Sequence, residues 1–239
     1  MKISLSFKSF VSLSSLATAA LLATGCASSG PKDATPRQAS KFKATDGRTI
    51  DIGQATPVEG GRSFKNPHLD KCWIADGFTF SGYDTLVVAP VAVTATVKDD
   101  EKERLQLATQ QIPVKLTQFL TTKGIFTYVV TSDTDLKPGA RVLKLENTIV
   151  EYSKGSRAAR YFAGLYGAGQ PMLRVQGTIK EGDKPLFAYE GRRSGTSAGA
   201  RVLGVYMSGN DIQDEDVHSM MLDLTDFMAS IAGKYTPKN

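Results

Sequence analysis

Three short stretches of the chain hold residue types that could do chemistry. Gly195 to Gly199 match G-x-S-x-G, in which a strand-to-helix turn exposes a nucleophilic serine, here Ser197. That motif needs an Asp and then a His later in the chain, and the later His, His218, falls within a predicted terminal helix. Too little chain follows Ser197 to build a hydrolase sheet, so we interpret the stretch as a small-residue loop.

The second stretch is rich in glycine. Gly164, Gly167 and Gly169 have the spacing G-x-x-G-x-G. A phosphate-binding loop lies between a strand and a helix N-terminus, and this order is missing, as is a Walker-type Lys-Ser/Thr. The sequence therefore predicts no nucleotide and no other cofactor.

The third stretch is His68, Asp70 and Cys72, which alternate and would face one way on a strand. Zinc takes four protein ligands at structural sites, or three plus water at catalytic sites, and a further ligand is absent here. We expect no metal site. Cys72 is interpreted as a small buried residue beside Trp73; if it were exposed, its thiol could form an intermolecular disulfide.

The amino terminus has the pattern of a secretory signal. Lys2 and Lys8 precede a short apolar stretch over residues 10–22, which serines interrupt too often for a spanning helix. The sequence from Leu22 to Cys26 resembles the lipobox of bacterial lipoproteins. This resemblance implies cleavage before Cys26, acylation of Cys26 and stable membrane anchoring by several acyl chains. The alternative is an ordinary secretory signal with Cys26 in a loop.

The residue after Cys26 is Ala27 and not Asp, which resembles the sorting pattern of outer-membrane lipoproteins. No second hydrophobic segment of spanning length follows. We therefore expect a protein anchored to the outer membrane and facing the periplasm.

Composition excludes several classes of protein. The chain is 41% hydrophobic and 22% charged, which fits a globular protein with a core and excludes wholesale disorder. Two Cys exclude a disulfide scaffold, and two His leave little material for catalysis. The formal net charge is +5, but the basic residues are scattered, so we expect no nucleic-acid partner.

The chain divides into four predicted regions. The lipobox resemblance implies a signal peptide (1–25) and a lipidated Cys26, and the composition after Cys26 predicts a flexible tether (26–45). Hydrophobic patterning then predicts an irregular extension (46–82) and a regular domain (83–235). In the extension, the candidate core residues are Trp73, Ile74, Phe78 and Phe80.

Within the regular domain, a buried strand over 86–93 is interrupted by Pro90. A helix follows from Asp99, with a kink or break at Pro113 and a stop at Gly124. Strands over 126–130, 143–149, 172–180 and 185–190 lead to a last helix from about residue 210 to Gly233. This order predicts an α+β two-layer sandwich: a mixed, mostly antiparallel sheet with helices packed on one face.

The most unusual stretch is Gly155 to Gly169, which joins two arginines to aromatic and small apolar residues. One interpretation is a Gly-rich loop or short helix packed over the sheet edge. The other is an exposed loop that contacts a membrane or a partner. The candidate contact residues are Arg157, Arg160, Tyr161, Phe162, Leu165 and Tyr166.

That stretch and the alternating strand after it resemble the bacterial lipoprotein family of domain of unknown function (DUF) 4410, over about residues 83–231. The family implies a lipoprotein context and no activity. More loosely, the element order is similar to the amino-terminal domain of the Tol translocation protein and to the curli secretion lipoprotein, both envelope assembly proteins.

From these patterns we expect a non-enzymatic outer-membrane lipoprotein whose periplasmic domain binds an envelope protein. The alternative is a carrier that binds a small apolar ligand or lipid between sheet and helices. An enzyme would need acidic or Lys groups converging in one cleft, which the sequence does not reveal. The sequence leaves the oligomeric state open.

Overall fold

The computed structural model describes residues 39–156, 170–194 and 209–238. Within these ranges two helices, α1 (Lys102–Lys123) and α2 (Gly209–Ile231), accompany two sheets. The small sheet consists of β1 (Lys41–Lys43), β2 (Thr49–Asp51) and β12 (Thr236–Pro237). The large sheet consists of β3 (Gln54–Val58), β4 (Gly61–Lys65), β5 (Lys71–Ala75), β6 (Thr85–Val88), β7 (Ala92–Val93), β8 (Tyr128–Val130), β9 (Val142–Ser153), β10 (Met172–Glu181) and β11 (Lys184–Arg193).

The large sheet is mixed and mostly antiparallel. Its strand order is β3-β4-β5-β11-β10-β9-β6-β8, with β7 paired to β9. The strands β6, β7 and β8 take part only in parallel pairs, and the other pairs are antiparallel. Both helices pack on the face that carries the buried residues, which confirms the predicted α+β class.

The long central strands follow the alternation that the sequence predicts. In β9, Leu143, Leu145, Asn147 and Ile149 are buried, and Lys144, Glu146 and Thr148 between them lie on the other, partly exposed face. The hairpin between β10 and β11 turns at Gly182, whose φ of 58° is left-handed and suits glycine. Because one face of these strands is apolar, only one register buries that face, and sequence and structure agree.

The predicted strand over 86–93 is split at Pro90 into β6 and β7. Proline has no N–H to donate to a ladder, so pairing stops there and resumes at Ala92. Leu86 and Val88 point into the core, and Val87 is equally buried on the opposite face. The predicted interruption at Pro90 is confirmed, but the predicted burial over 86–93 is correct only for β6, because both residues of β7 are exposed.

Helix α1 is continuous, so the predicted break at Pro113 is wrong. A short 3₁₀ turn, Asp99–Glu101, leads into it, and Gly124 ends it with a left-handed φ of 60°. Proline removes one intrahelical hydrogen bond, but Ile112 and Leu116 on either side are completely buried against the sheet. Packing on this face holds the helix together through Pro113.

Helix α2 is buried on its sheet face along the apolar stripe that the sequence predicts, and its second half is buried all round. Every residue from Leu224 to Ser230 is buried, including Asp226. The large sheet, α1 and the small sheet surround this half. Neither described helix is long and apolar enough to cross a membrane.

The segment 46–82, expected to be irregular, contains four strands, and β1 lies within the predicted tether. Three of the strands, β3 to β5, extend the large sheet; a residue with positive φ, Gly53, lies between β2 and β3, and another, Gly60, between β3 and β4. Strands of three to five residues interrupted by such turns are too short to show a clear period. Of the core residues expected here, Ile74, Phe78 and Phe80 are buried and Trp73 is only partly buried.

Aromatic rings fill the interface between α2 and the large sheet. The ring of Phe227 meets Phe64 edge-on, with centroids 5.2 Å apart, and lies 5.9 Å from Phe187. These ring contacts fill the space between α2 and the large sheet at this point.

Candidate functional site

Many of the predicted site residues lie outside the described residues. They are the lipidation candidate Cys26, the contact candidates Arg157, Arg160, Tyr161, Phe162, Leu165 and Tyr166, and the motif residues Ser197, Gly164, Gly167 and Gly169. What the structure describes is the framework to which these segments are joined.

Both segments are joined to one end of the large sheet. Ser153, the last residue of β9, pairs with Met172, the first residue of β10. Leu173 in turn pairs with Arg193, the last residue of β11. The chain therefore leaves this end of the sheet before residue 157 and again after residue 194. We call this end, with residues 153–156, 170–173 and 192–194, the loop-bearing end.

A buried glutamate holds one side of the loop-bearing end. Glu101, at the N-terminus of α1, is 6% exposed and accepts hydrogen bonds from the backbone N–H groups of Lys98 (3.2 Å) and Lys154 (3.0 Å). The Ser153 hydroxyl also donates to it, at 3.5 Å. One carboxylate thus satisfies a helix N-terminus and fixes the backbone just after β9.

An ion pair lies beside this cap. The Lys154 ammonium contacts the carboxylate of Asp100, and its hydrogen bond lowers the pKa of that exposed carboxyl below its ordinary value. Because Asp100 is exposed, the pair adds little stability. Its main effect is to orient the chain that precedes residue 157.

Arg193 holds the other side of the loop-bearing end. Its guanidinium forms an ion pair with Asp223 of α2 and donates to the backbone oxygen of His68 at 2.7 Å. Burial raises the pKa of the Asp223 carboxyl above its ordinary value, although the charges of Arg193 and His68 act in the opposite direction. The last residue of β11 is therefore fixed to α2 and to the turn before β5.

A polar cleft of about 300 Å³ lies next to Arg193. Its lining offers donors and acceptors, but much of its charge is already engaged: Arg48 binds Asp46 and Asp226, and Asp223 binds Arg193. The lining residues are Arg48, Thr49, Ile50, Asp51, Asn66, His68 and Asp223.

His68, Asp70 and Cys72 do not form a shared site. His68 and Asp70 are exposed and precede β5, whereas Cys72 lies within β5 and is 1% exposed, which confirms its interpretation as a buried residue. Burial raises the pKa of its thiol well above the ordinary value. Within the described ranges, no three His, Cys, Asp or Glu side chains are grouped so that they could hold a metal ion.

The opposite end of α1 has a buried ion network centred on Asp226, which is 1% exposed on its side chain. Its carboxylate contacts the Lys123 ammonium, accepts from Arg48 Nη1 at 2.9 Å and accepts from the Tyr235 hydroxyl at 2.6 Å. Burial, with the hydrogen bond to Asp226, raises the pKa of Tyr235. Three regions far apart in sequence meet at this carboxylate, around Arg48, Lys123 and residues 226–235, and Arg48 and Tyr235 adjoin the small sheet.

Sequence reasoning missed Asp223, Asp226 and Glu101. The acidic residues of α2 look like its solvated side, because nothing local shows that the small sheet covers that side. Glu101 had one detectable signal, its place in the first turn of a predicted helix. Its contact with Lys154 had no signal in the sequence, because Lys154 lies 53 residues later in the chain.

The fold is that of an α+β domain with an open mixed sheet, and a family model agrees with the sequence resemblance. The family described as domain of unknown function (DUF4410) matches residues 64–208, which is more than half of the chain. The protein belongs to this family. No curated protein matches the chain.

Two solved structures are similar to the chain. The PelC dodecamer from Paraburkholderia phytofirmans is 13% identical, with a TM-score of 0.41 over 64% of this chain and 96% of that one. A DUF330 protein from Xanthomonas campestris is 12% identical, with a TM-score of 0.34 over 63% of this chain and 85% of that one. Likenesses this weak carry no functional inference.

Proposed function

We propose that the protein is a lipoprotein anchored through Cys26 to the outer membrane, and that its periplasmic α+β domain works by docking to an envelope protein without catalysing a reaction. The lipobox resemblance at Leu22 to Cys26 and the residue Ala27 support the anchor and its membrane. Membership of a family without an assigned activity is compatible with this role.

The docking proposal depends on one observation, the way the loop-bearing end is held. Glu101 ties the chain after β9 to α1, and Asp223 ties the end of β11 to α2. Contacts made from fixed attachment points lose less conformational entropy on binding than contacts from a loosely held chain. The loop-bearing end is thus a suitable base for a contact segment.

The residue types in the segment between β9 and β10 suit the same role. Arginine and large aromatic residues carry much of the binding energy at protein interfaces, and Arg157, Arg160, Tyr161 and Phe162 lie close together in sequence. Leu165 and Tyr166 add apolar area. We propose these six residues as the contact surface for the partner.

Crosslinking in intact cells tests this surface. The full-length protein carries the triple change Arg160→Ser, Tyr161→Ser and Phe162→Ser, and the attached proteins are identified by mass spectrometry after purification. We expect the main crosslinked envelope protein to be lost, while the variant accumulates to the parental level.

A matched control changes one cation and two apolar residues on the outside of α1. Leu107 and Val114 are 47% and 63% exposed there, and Lys115 follows them. The variant Leu107→Ser, Val114→Ser, Lys115→Ser should retain the partner. If the partner survives the first variant, or is lost equally in both, the proposed contact surface is wrong.

A further inference from the structure

We propose that the outward face of the small sheet lies against an anionic phospholipid surface. This proposal extends the proposed function, because it assumes that Cys26 is the membrane anchor. We call Lys41, Lys43 and Lys238 the basic face. The argument uses their shared orientation, their lack of carboxylate partners and their position along the chain.

The three lysines share one face of the small sheet. Lys41 and Lys43 are exposed on either side of Phe42, which is buried. Phe42 pairs with Pro237, and the backbone N–H of Lys238 donates to the oxygen of Lys41 at 2.9 Å, so Lys238 lies opposite Lys41. Residues directly opposite each other in an antiparallel pair project on the same side. All three ammonium groups therefore project from one exposed patch.

These ammonium groups lack carboxylate partners. Among the described residues, none of the three lysines forms an ion pair, and Lys238 contacts only the Thr49 hydroxyl, at 3.4 Å. One acidic residue, Asp51, lies opposite Lys41 in the register. The nearby Asp46 is paired with Arg48. The face therefore keeps a net positive charge.

The exposed face of the large sheet differs in this respect along β9 and β10. There Lys180 pairs with Glu146 at 2.6 Å, and Arg174 pairs with Glu151 at 3.2 Å. Balanced pairs of this kind are typical of a solvated surface, whereas a group of unpaired lysines attracts anionic lipid headgroups. This contrast favours contact of the small sheet with a membrane and contact of the large sheet with water.

The position of the small sheet in the chain brings it to the membrane first. Lys41 is fifteen residues after Cys26, which limits their separation to roughly 50 Å even for extended chain. In the proposed orientation β1, which carries Lys41 and Lys43, is the first described strand after the anchor. The attraction acts within a Debye length, about 8 Å at physiological salt, and the anchor keeps the basic face near enough to the membrane to come within that distance.

The Asp226 network holds the small sheet in place for such a contact. Arg48 precedes β2 and Tyr235 precedes β12, and both bind the carboxylate of Asp226. The basic face is therefore fixed to the C-terminal end of α1. The Glu101 side of the loop-bearing end is at the other end of that 22-residue helix, about 33 Å along its axis. Membrane contact at the small sheet leaves that side free for the partner.

Vesicle binding tests the basic face without the anchor. Residues 26–239 with Cys26→Ser contain the whole described core, and are mixed with vesicles of 30% phosphatidylglycerol in phosphatidylcholine or of phosphatidylcholine alone. We expect binding to the anionic vesicles only, weakening as salt rises. The added change Lys41→Ser, Lys43→Ser, Lys238→Ser should lower the partition coefficient by on the order of 100-fold, about fivefold for each lysine.

The matched control removes three lysines elsewhere. Lys71, Lys115 and Lys184 form no ion pair among the described residues and lie on β5, α1 and β11. Changing these to Ser alters the net charge equally and should affect binding far less. Equal losses in the two triple variants would show attraction by net charge alone and overturn the proposal, as would failure of the parent to bind anionic vesicles.

The anchor is tested separately, by fractionation of cells that carry full-length protein. The parent and the Lys41, Lys43, Lys238 variant should both stay in the membrane fraction, and Cys26→Ser should leave it. A Cys26→Ser protein that fractionates like the parent overturns the anchor, whatever the vesicles show. Normal anchoring combined with no vesicle binding overturns only the basic face.

Discussion

The two ends of α1 are each tied to the rest of the domain by a buried carboxylate, but its partners differ in kind. At the N-terminal end, Glu101 accepts from two backbone N–H groups and a hydroxyl, which are neutral donors. At the C-terminal end, Asp226 accepts from an ammonium, a guanidinium and a phenol. The first is a helix cap extended to a strand end, and the second is an ion network joining three remote regions of the chain.

This difference predicts how much stability is lost when a residue is mutated at each end of α1. A helix cap contributes modestly to the free energy of unfolding, because it stabilises one helix terminus only. A buried ion network leaves uncompensated charges in the interior when one member is removed, and this is much more costly. We therefore expect the end that carries the small sheet to be more sensitive than the loop-bearing end.

The largest effect is expected for Asp226→Asn. The Lys123 side chain is only 9% exposed, so removing the negative charge strands a buried ammonium and should destabilise the protein by about 3–5 kcal/mol. Urea unfolding of residues 26–239 measures the loss. Asp46→Asn, which removes an exposed carboxylate from the same Arg48, is the control and should change stability little. Equal effects in the two variants would contradict the central role of Asp226.

A smaller effect is expected for Glu101→Ala at the other end. Loss of the cap and of the bond to Lys154 should destabilise the protein by about 1–2 kcal/mol. The same unfolding experiment measures this, and hydrogen exchange of the Lys154 amide should become faster. The exposed neighbour Glu103 provides a control, Glu103→Ala, with no change in that exchange. A loss as large as that of Asp226→Asn would remove the difference between the two ends.

The smallest effect is a change in pH dependence at the ion pairs that flank the loop-bearing end. The folded-state pKa of Asp223 is raised by burial, so its contribution to stability is fully present below about pH 4 and is lost as pH rises through the folded pKa. Asp100 has a lowered pKa, so its contribution is present above about pH 4 and is lost as pH falls.

These opposite pH dependences are measured by comparing the stability of each variant, Asp223→Asn and Asp100→Asn, with that of the parent between pH 3 and 7. Relative to the parent, Asp223→Asn should gain stability as pH rises, and Asp100→Asn should lose it. Because the ion pair with Arg193 forms only when Asp223 is ionised, its loss is already part of this slope. Slopes of the same sign in both variants would show that Asp223 is not desolvated as described.

Much of the fold could be predicted because its main elements are long and have one apolar face. The strand alternation of β9 to β11 and the stripe of α2 appear directly in the sequence. Pro90 interrupts a strand as expected, because a missing N–H acts locally. Pro113 does not break its helix, because burial of Ile112 and Leu116 outweighs one lost hydrogen bond. The segment 46–82 was mispredicted, since its strands gain their order from neighbours and not from their own period.

The candidate site was less predictable than the fold. The residue types of Arg157 to Tyr166 point to a contact surface by themselves, but nothing local predicts that the flanking strand ends are tied to α1 and α2. The lysines of the basic face illustrate the same limit. Lys41 and Lys238 are almost at opposite ends of the chain, and only pairing of β1 with β12 brings them together.

By itself, the amino-acid sequence determined the α+β class, the two helices and the central strands, because each depends on residues close together in the chain; lipid attachment at Cys26 stays a prediction. Tertiary structure alone decided that the second half of α2 is covered on all sides and that Asp226 is buried among cations. The physical reason is that burial of a polar group depends on which remote segments exclude water from it. For Asp226 those segments include residues 41–51 and 235–237, which lie at the two ends of the described chain.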